Sequence, residues 1–151
     1  MSLYWEALAT RNVSMLQQSL ERYHNLLDND RCHWINYIRD ANDIRWTFSN
    51  KDASELNINP ADHRRFLDSY YVNRHKGSFA RGVPFMDDKY TGECRVAGTA
   101  ASLAGLESGE VQGVERMLLL YSVCFSTGGI PLLYLGDEVR RDTYSMRMRG
   151  H

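Results

Sequence analysis

The chain is short of cysteine, of proline and of any excess of charge. Its three cysteines, Cys32, Cys94 and Cys124, stand far apart, with no C-x-x-C pair. An odd, scattered set argues against a disulfide framework or a structural zinc site and fits a reducing, cytoplasmic setting. His24, His33 and His75 also lack metal-ligand spacing; neither a metal nor a cofactor is expected. Eighteen basic residues face nineteen acidic ones, for a net charge of −1. That balance leaves no electrostatic footprint for nucleic acid. The one basic concentration, Arg140-Arg141 with Arg147-Met148-Arg149, reads as a solvated tail over residues 140–151. No apolar run has membrane length. Met117 to Leu135 is broken by Ser126-Thr127-Gly128-Gly129 and by Pro131, and MSLYWEALATRN has no apolar signal core. No internal repeat, low-complexity segment or G-x-S-x-G motif occurs.

What is present is ordinary globular text. Apolar residues make up 43% and charged residues 25% of 151 positions, enough for one domain over 1–151 with a real core. Leu8, Met15, Leu16, Leu20, Tyr23 and Leu27 recur at helical spacing and predict one helix over residues 3–27, ended by Asp28-Asn29-Asp30. Residues 33–38, rich in aromatic and β-branched side chains, predict a strand. Ser49 is placed to cap a short helix, and Asn59-Pro60 opens another that runs to Tyr71. Gly77, Gly82, Pro84 and Gly92 mark a loop-rich stretch. Gly98 to Glu107 reads as a tightly packed helix of small residues. From Glu110 to Phe125 a stronger helix is expected, with Val111, Val114, Leu118, Tyr121 and Phe125 on one face and Cys124 as a buried thiol. Gly128-Gly129 ends it. Ile130 to Leu135 then predicts a fully apolar parallel strand, covered on both faces, before the acidic turn Gly136-Asp137-Glu138. The order is α, β, long insert, α, β.

The segments DIRWTF, HRRFLDSYY, GSFARGVPF, TGECRVAGTAASLAGLE and GGIPLLYLGDE resemble the amylosucrases, a branch of the α-amylase superfamily (glycoside hydrolase family 13). The similarity runs collinearly over residues 2 to about 139. It implies a helix-rich α/β fold that is part of a (β/α)₈ barrel, completed by self-association. By that resemblance residues 33–39 are the seventh strand, 44–110 the insert after it with acceptor-side sugar contacts, 110–126 the seventh helix, and 130–135 the eighth strand. After Val139 the resemblance stops, which implies a truncated or frameshifted text.

Retaining glycoside chemistry needs two carboxyl groups flanking the scissile bond. The family places them after its fourth and fifth strands, neither of which this chain contains. The third family carboxylate follows the seventh strand in a His-Asp-Asp-Ile-Gly-Trp motif. Here that motif reads Ala41-Asn42-Asp43-Ile44-Arg45-Trp46. Asn42 keeps the shape of the stabilising aspartate without its charge, and Ala41 has no donor. The resemblance thus implies a fragment without the parental sucrose glucosyl-transfer reaction. Asp43, Asp137 and Glu138 remain as weak catalytic candidates for a small α-glucoside hydrolase with a site between subunits. Arg64, Arg95 and Trp46 match the family's sugar-contact positions and imply a sugar-binding or interaction module instead. The partners expected are a second copy of the chain and sucrose or an α-glucan, with neither nucleic acid nor membrane. His63 beside Asp62 is a weak signal for an oriented base, because neighbours on a helix point apart.

Overall fold

The computed structural model describes residues 1–27, 33–40, 43–88, 90–108 and 112–138. The fold is α/β and rich in helix. Two helices, α1 (Ser2–Thr10) and α2 (Ser14–Leu27), replace the single predicted one. The break falls at Arg11, which adopts the left-handed conformation with φ 56°. Asn12 Oδ1 then accepts from Ser14 N at 2.8 Å and restarts the helix. This exchange of one backbone bond for a side-chain cap needs no glycine or proline, so periodicity alone did not reveal it. The predicted terminator, residues 28–30, lies outside the described residues.

The helix caps read from sequence are present. Ser49 Oγ accepts from Asp52 N at 3.0 Å ahead of α3 (Asn50–Glu55). Asn59 Oδ1 accepts from Ala61 N and Asp62 N ahead of α4 (Pro60–Tyr71), whose proline occupies the first turn. The loop-rich stretch contains a hairpin that was not foreseen: β2 (Val83–Phe85) pairs antiparallel with β3 (Arg95–Ala97). Ile44 extends it by bonding Val96 in both directions, at 2.8 and 3.0 Å. Gly82 lets this hairpin lie against α4. A Cβ there would meet the Tyr71 carbonyl at 2.6 Å and Val96 Cγ1 at 2.7 Å. The small-residue helix α5 (Ala100–Ala104) is buried along its whole length.

The core therefore centres on the segment expected to be a long loop. Ile44, Leu67, Tyr71, Val96 and Leu103 are fully buried there, and α1 packs onto them through Trp5. The last helix, α6 (Gln112–Ser126), buries Gly113, Met117, Leu120 and Cys124. The face shared by Val114, Leu118, Tyr121 and Phe125 is not the one packed on the core: Val114, Leu118 and Phe125 are exposed, Tyr121 is half-buried, and Val111 lies outside the described residues. Apolar residues surround this helix on most sides, so spacing alone offered two stripes. Gly113 decides between them. Its missing side chain admits the backbone of Leu106, which a Cβ would meet at 2.9 Å.

Strand β1 is reduced to Ile35–Asn36 and pairs in parallel with β4 (Ile130–Pro131). Two bonds, Ile130 N to Trp34 O and Leu132 N to Asn36 O, each 2.7 Å, hold the pair. The predicted buried strand over 130–135 is instead exposed throughout. Among the described residues no layer covers it. The tail at 140–151 lies outside the described residues.

Candidate functional site

The turn after β1 leads into an open cleft of about 440 Å³. Arg45, Trp46, Arg64 and Arg95 line it, with Asp68 and Glu93 among the acids. The fold thus brings together all three residues predicted to contact sugar, from three separate segments. Ala41 and Asn42 lie outside the described residues.

The three predicted residues, Arg64, Arg95 and Trp46, each have a structural partner. Arg64 donates to the carbonyls of Trp46 and Phe48, at 3.3 and 2.9 Å, and to Asn50 Oδ1 at 2.8 Å. Its guanidinium also sits 4.7 Å from the Phe48 ring centre. These contacts pin residues 46–50 onto α4. Arg95 faces Asp43 across 3.4 Å, both partly exposed. Trp46 is only 5% exposed, and its ring packs on Tyr71 with centres 5.5 Å apart. Its indole N–H is spent inside the protein, donating to Asp68 Oδ1 at 2.6 Å. Arg45 is exposed at the rim.

Asp68 carries no local sequence signal, and the reading from sequence missed it. It is 3% exposed, and its second oxygen accepts from Cys94 N at 3.0 Å. Burial pushes its carboxyl above the usual aspartate range, while the two N–H donors pull the other way. Such a raised acid beside a cleft is the usual mark of a proton donor. Here both oxygens are already engaged with α4's neighbours, so the carboxyl serves as a clasp between Trp46 and β3. Burial also pushes the Cys94 thiol up to about 12, which leaves it without thiolate character at neutral pH.

The two acids after β4 part company. Asp137 is 3% exposed rather than part of a solvated turn. Its Oδ1 accepts from Ala100 N at 2.9 Å and its carbonyl from Ala101 N at 3.0 Å, capping α5 from across the fold. The buried guanidinium of Arg39 lies 3.7 Å away. Burial raises the Asp137 carboxyl, against the pull of Ala100 N–H and Arg39. Among the described residues Asp137 Oδ2 has no hydrogen-bond partner. Glu138 is exposed and folds back to accept from Gly136 N at 3.0 Å. The long-range cap explains the correction: nothing within the turn itself announces that Asp137 belongs to α5.

Of the remaining candidates, His63 turns away from Asp62 and meets Glu6 Oε1 at 2.9 Å, joining α4 to α1. Asp62 bonds Arg65. Among the described residues no group of histidine, cysteine and acidic side chains could hold a metal ion, and no helix is long and apolar enough to cross a membrane. Compared with models of protein families, the chain matches none.

Proposed function

We propose that the chain is an amylosucrase-like barrel fragment that does not perform sucrose glucosyl transfer. The observation that supports this reading is the employment of the candidate acids. Asp43 is held against Arg95, Asp137 caps α5, and Glu138 binds its own turn. A retaining reaction needs a nucleophile and a proton donor free to face one bond about 5–5.5 Å apart. The measurement is release of glucose, fructose and polymer from sucrose. The expected result is no turnover above the uncatalysed background. A rate near ordinary enzyme values of about 1–10³ s⁻¹ would sink the reading.

The cleft favours a second reading, a weak saccharide-binding module. Exposed Arg45 and the partly exposed Arg95 offer forked donors to sugar hydroxyls beside acceptors on Asp88 and Glu93. Calorimetric titration with malto-oligosaccharides is expected to show binding, and Arg95→Ala to weaken it about tenfold, the worth of one charge-assisted hydrogen bond of about 1.5 kcal/mol. Equal binding by the variant would remove Arg95 from the site.

The fragment reading also implies self-association. Val114, Leu118, Leu119 and Phe125 on α6 are exposed, as are Ile130 and residues 132–135, nine large apolar side chains in all. At on the order of 100 Å² each they exceed the roughly 800 Å² per partner of a standard interface. Monomeric proteins seldom leave so much open.

A further inference from the structure

Alternation along β1 shows which backbone groups are spent and which are not. Trp34 O and Asn36 O accept from β4, so residues 34 and 36 face that strand. Residue 35, and residue 37 as the chain continues past the strand, therefore direct their N–H and C=O groups to the opposite edge. Neither Ile35 nor Tyr37 has a backbone hydrogen-bond partner there among the described residues. A groove of about 310 Å³ follows this segment, and Trp34, Ile35, Asn36 and Tyr37 all line it. Successive strand residues point to opposite faces, so a groove lined by four in a row meets the strand at its edge. Leu20 and Tyr23 of α2 flank it.

The outer edge of β4 is different. Ile130 and Leu132 donate toward β1, so residue 131 faces outward. That residue is Pro131, which has no N–H to offer. One edge of the pair is thus open and the other lacks its central donor.

We infer that two copies of the chain join through the open edge of β1, in an antiparallel pair about a two-fold axis, to form a four-stranded sheet β4-β1-β1-β4. The inference rests on the self-association proposed above and places it at the β1 edge, apart from the exposed apolar residues of α6 and of 130–135. A two-fold axis at Asn36 sets Ile35 opposite Tyr37 of the second copy and Tyr37 opposite its Ile35. Each of these pairs exchanges two N–H···O bonds, so all four free donors and all four free acceptors are used. Identical edges satisfy one another only in this antiparallel sense, and the contact is closed and isologous. The cross-strand pairs join a β-branched to an aromatic side chain, a favoured combination. The sheet ends on both sides at Pro131, the device by which natural edges resist further pairing. Pairing through strand edges accordingly stops at two.

Sedimentation velocity and equilibrium on the full chain at micromolar concentration test this, beside two variants. The wild type is expected as a dimer. Ile35→Pro removes an edge donor that the β1–β4 ladder does not use, and is expected as a monomer with an unchanged circular dichroism spectrum. Pro131→Val restores the outer donor and is expected to yield tetramers and larger species. A wild-type dimer that survives Ile35→Pro overturns the edge pairing and leaves self-association by the apolar surface standing. A wild-type monomer overturns both. Should Ile35→Pro fail to fold, Pro131→Val decides: growth beyond the dimer supports the pairing, and an unchanged dimer overturns it.

Discussion

Trp5→Ala is expected to cost about 4–6 kcal/mol of stability, more than any substitution on the surface. The indole is fully buried and stands edge-on to Tyr71, with ring centres 5.7 Å apart. Removing a buried tryptophan to alanine costs about 3–5 kcal/mol in lost transfer energy and cavity. Two hydrogen bonds add to this. Trp5 Nε1 donates to Ile38 O at 2.7 Å, and loss of the indole leaves that buried carbonyl unpaired at a further cost of about 1 kcal/mol or more. Tyr71 Oη donates to the Trp5 carbonyl at 2.5 Å, a bond that depends on α1 staying in place. Native domains hold only about 5–15 kcal/mol, so the variant sits close to unfolding at 25 °C. Urea titration followed by circular dichroism measures the difference. A loss under about 2 kcal/mol would mean that α1 is not anchored through this ring.

Asp68→Ala is expected to be the next most damaging change, at about 2–4 kcal/mol. It orphans two donors, the Trp46 indole and the Cys94 amide, each worth about 1–3 kcal/mol when left buried and unpaired. Relief of a desolvated carboxylate offsets part of the loss. The same residue sets a pH dependence. Burial raises the folded carboxyl above its ordinary value, so the folded state holds this proton more tightly than the unfolded state. Stability from Asp68 is then fully present below the ordinary value near about 4 and is lost as pH rises through the folded value. Asp137 acts in the same direction. Melting temperatures of wild type and Asp68→Asn, compared from pH 7 downward past the ordinary aspartate value near about 4, separate the two. The wild type gains on the variant as pH falls through the folded value. Parallel curves would show that Asp68 is an ordinary carboxylate.

Local chemistry was legible in the sequence wherever the cause was local. Ser49 and Asn59-Pro60 announce their helices because a cap acts within three residues of itself. Small residues from Gly98 onward correctly mark a packed helix. Strand β1 and its parallel partner were located, though not their shortness, because nothing in either segment says how much neighbouring sheet exists. The hairpin escaped notice because Pro84 and Gly82 read as loop residues, and only the carbonyl of Tyr71 explains the glycine. The cleft was partly foreseen: Trp46, Arg64 and Arg95 do meet, but the acid that fastens them, Asp68, has partners twenty-two and twenty-six residues distant on either hand of it. Such pairings exist only once the chain is folded.

The mutual bonding of Ile44 and Val96 has a consequence for how this text could travel between proteins. The two residues mark the entrance and exit of a segment that carries half of the buried apolar residues, and their backbones lie within hydrogen-bond reach, at 2.8 and 3.0 Å. A segment whose two ends already touch imposes almost no stretching on the turn that receives it. It can be spliced into a host at a single loop, because the closure entropy is met by its own packing and not by the recipient. Residues 44–97 thus have ends placed for insertion at a single loop, and the contacts of Tyr71 with Trp5 and of His63 with Glu6 are what any receiving scaffold would have to replace.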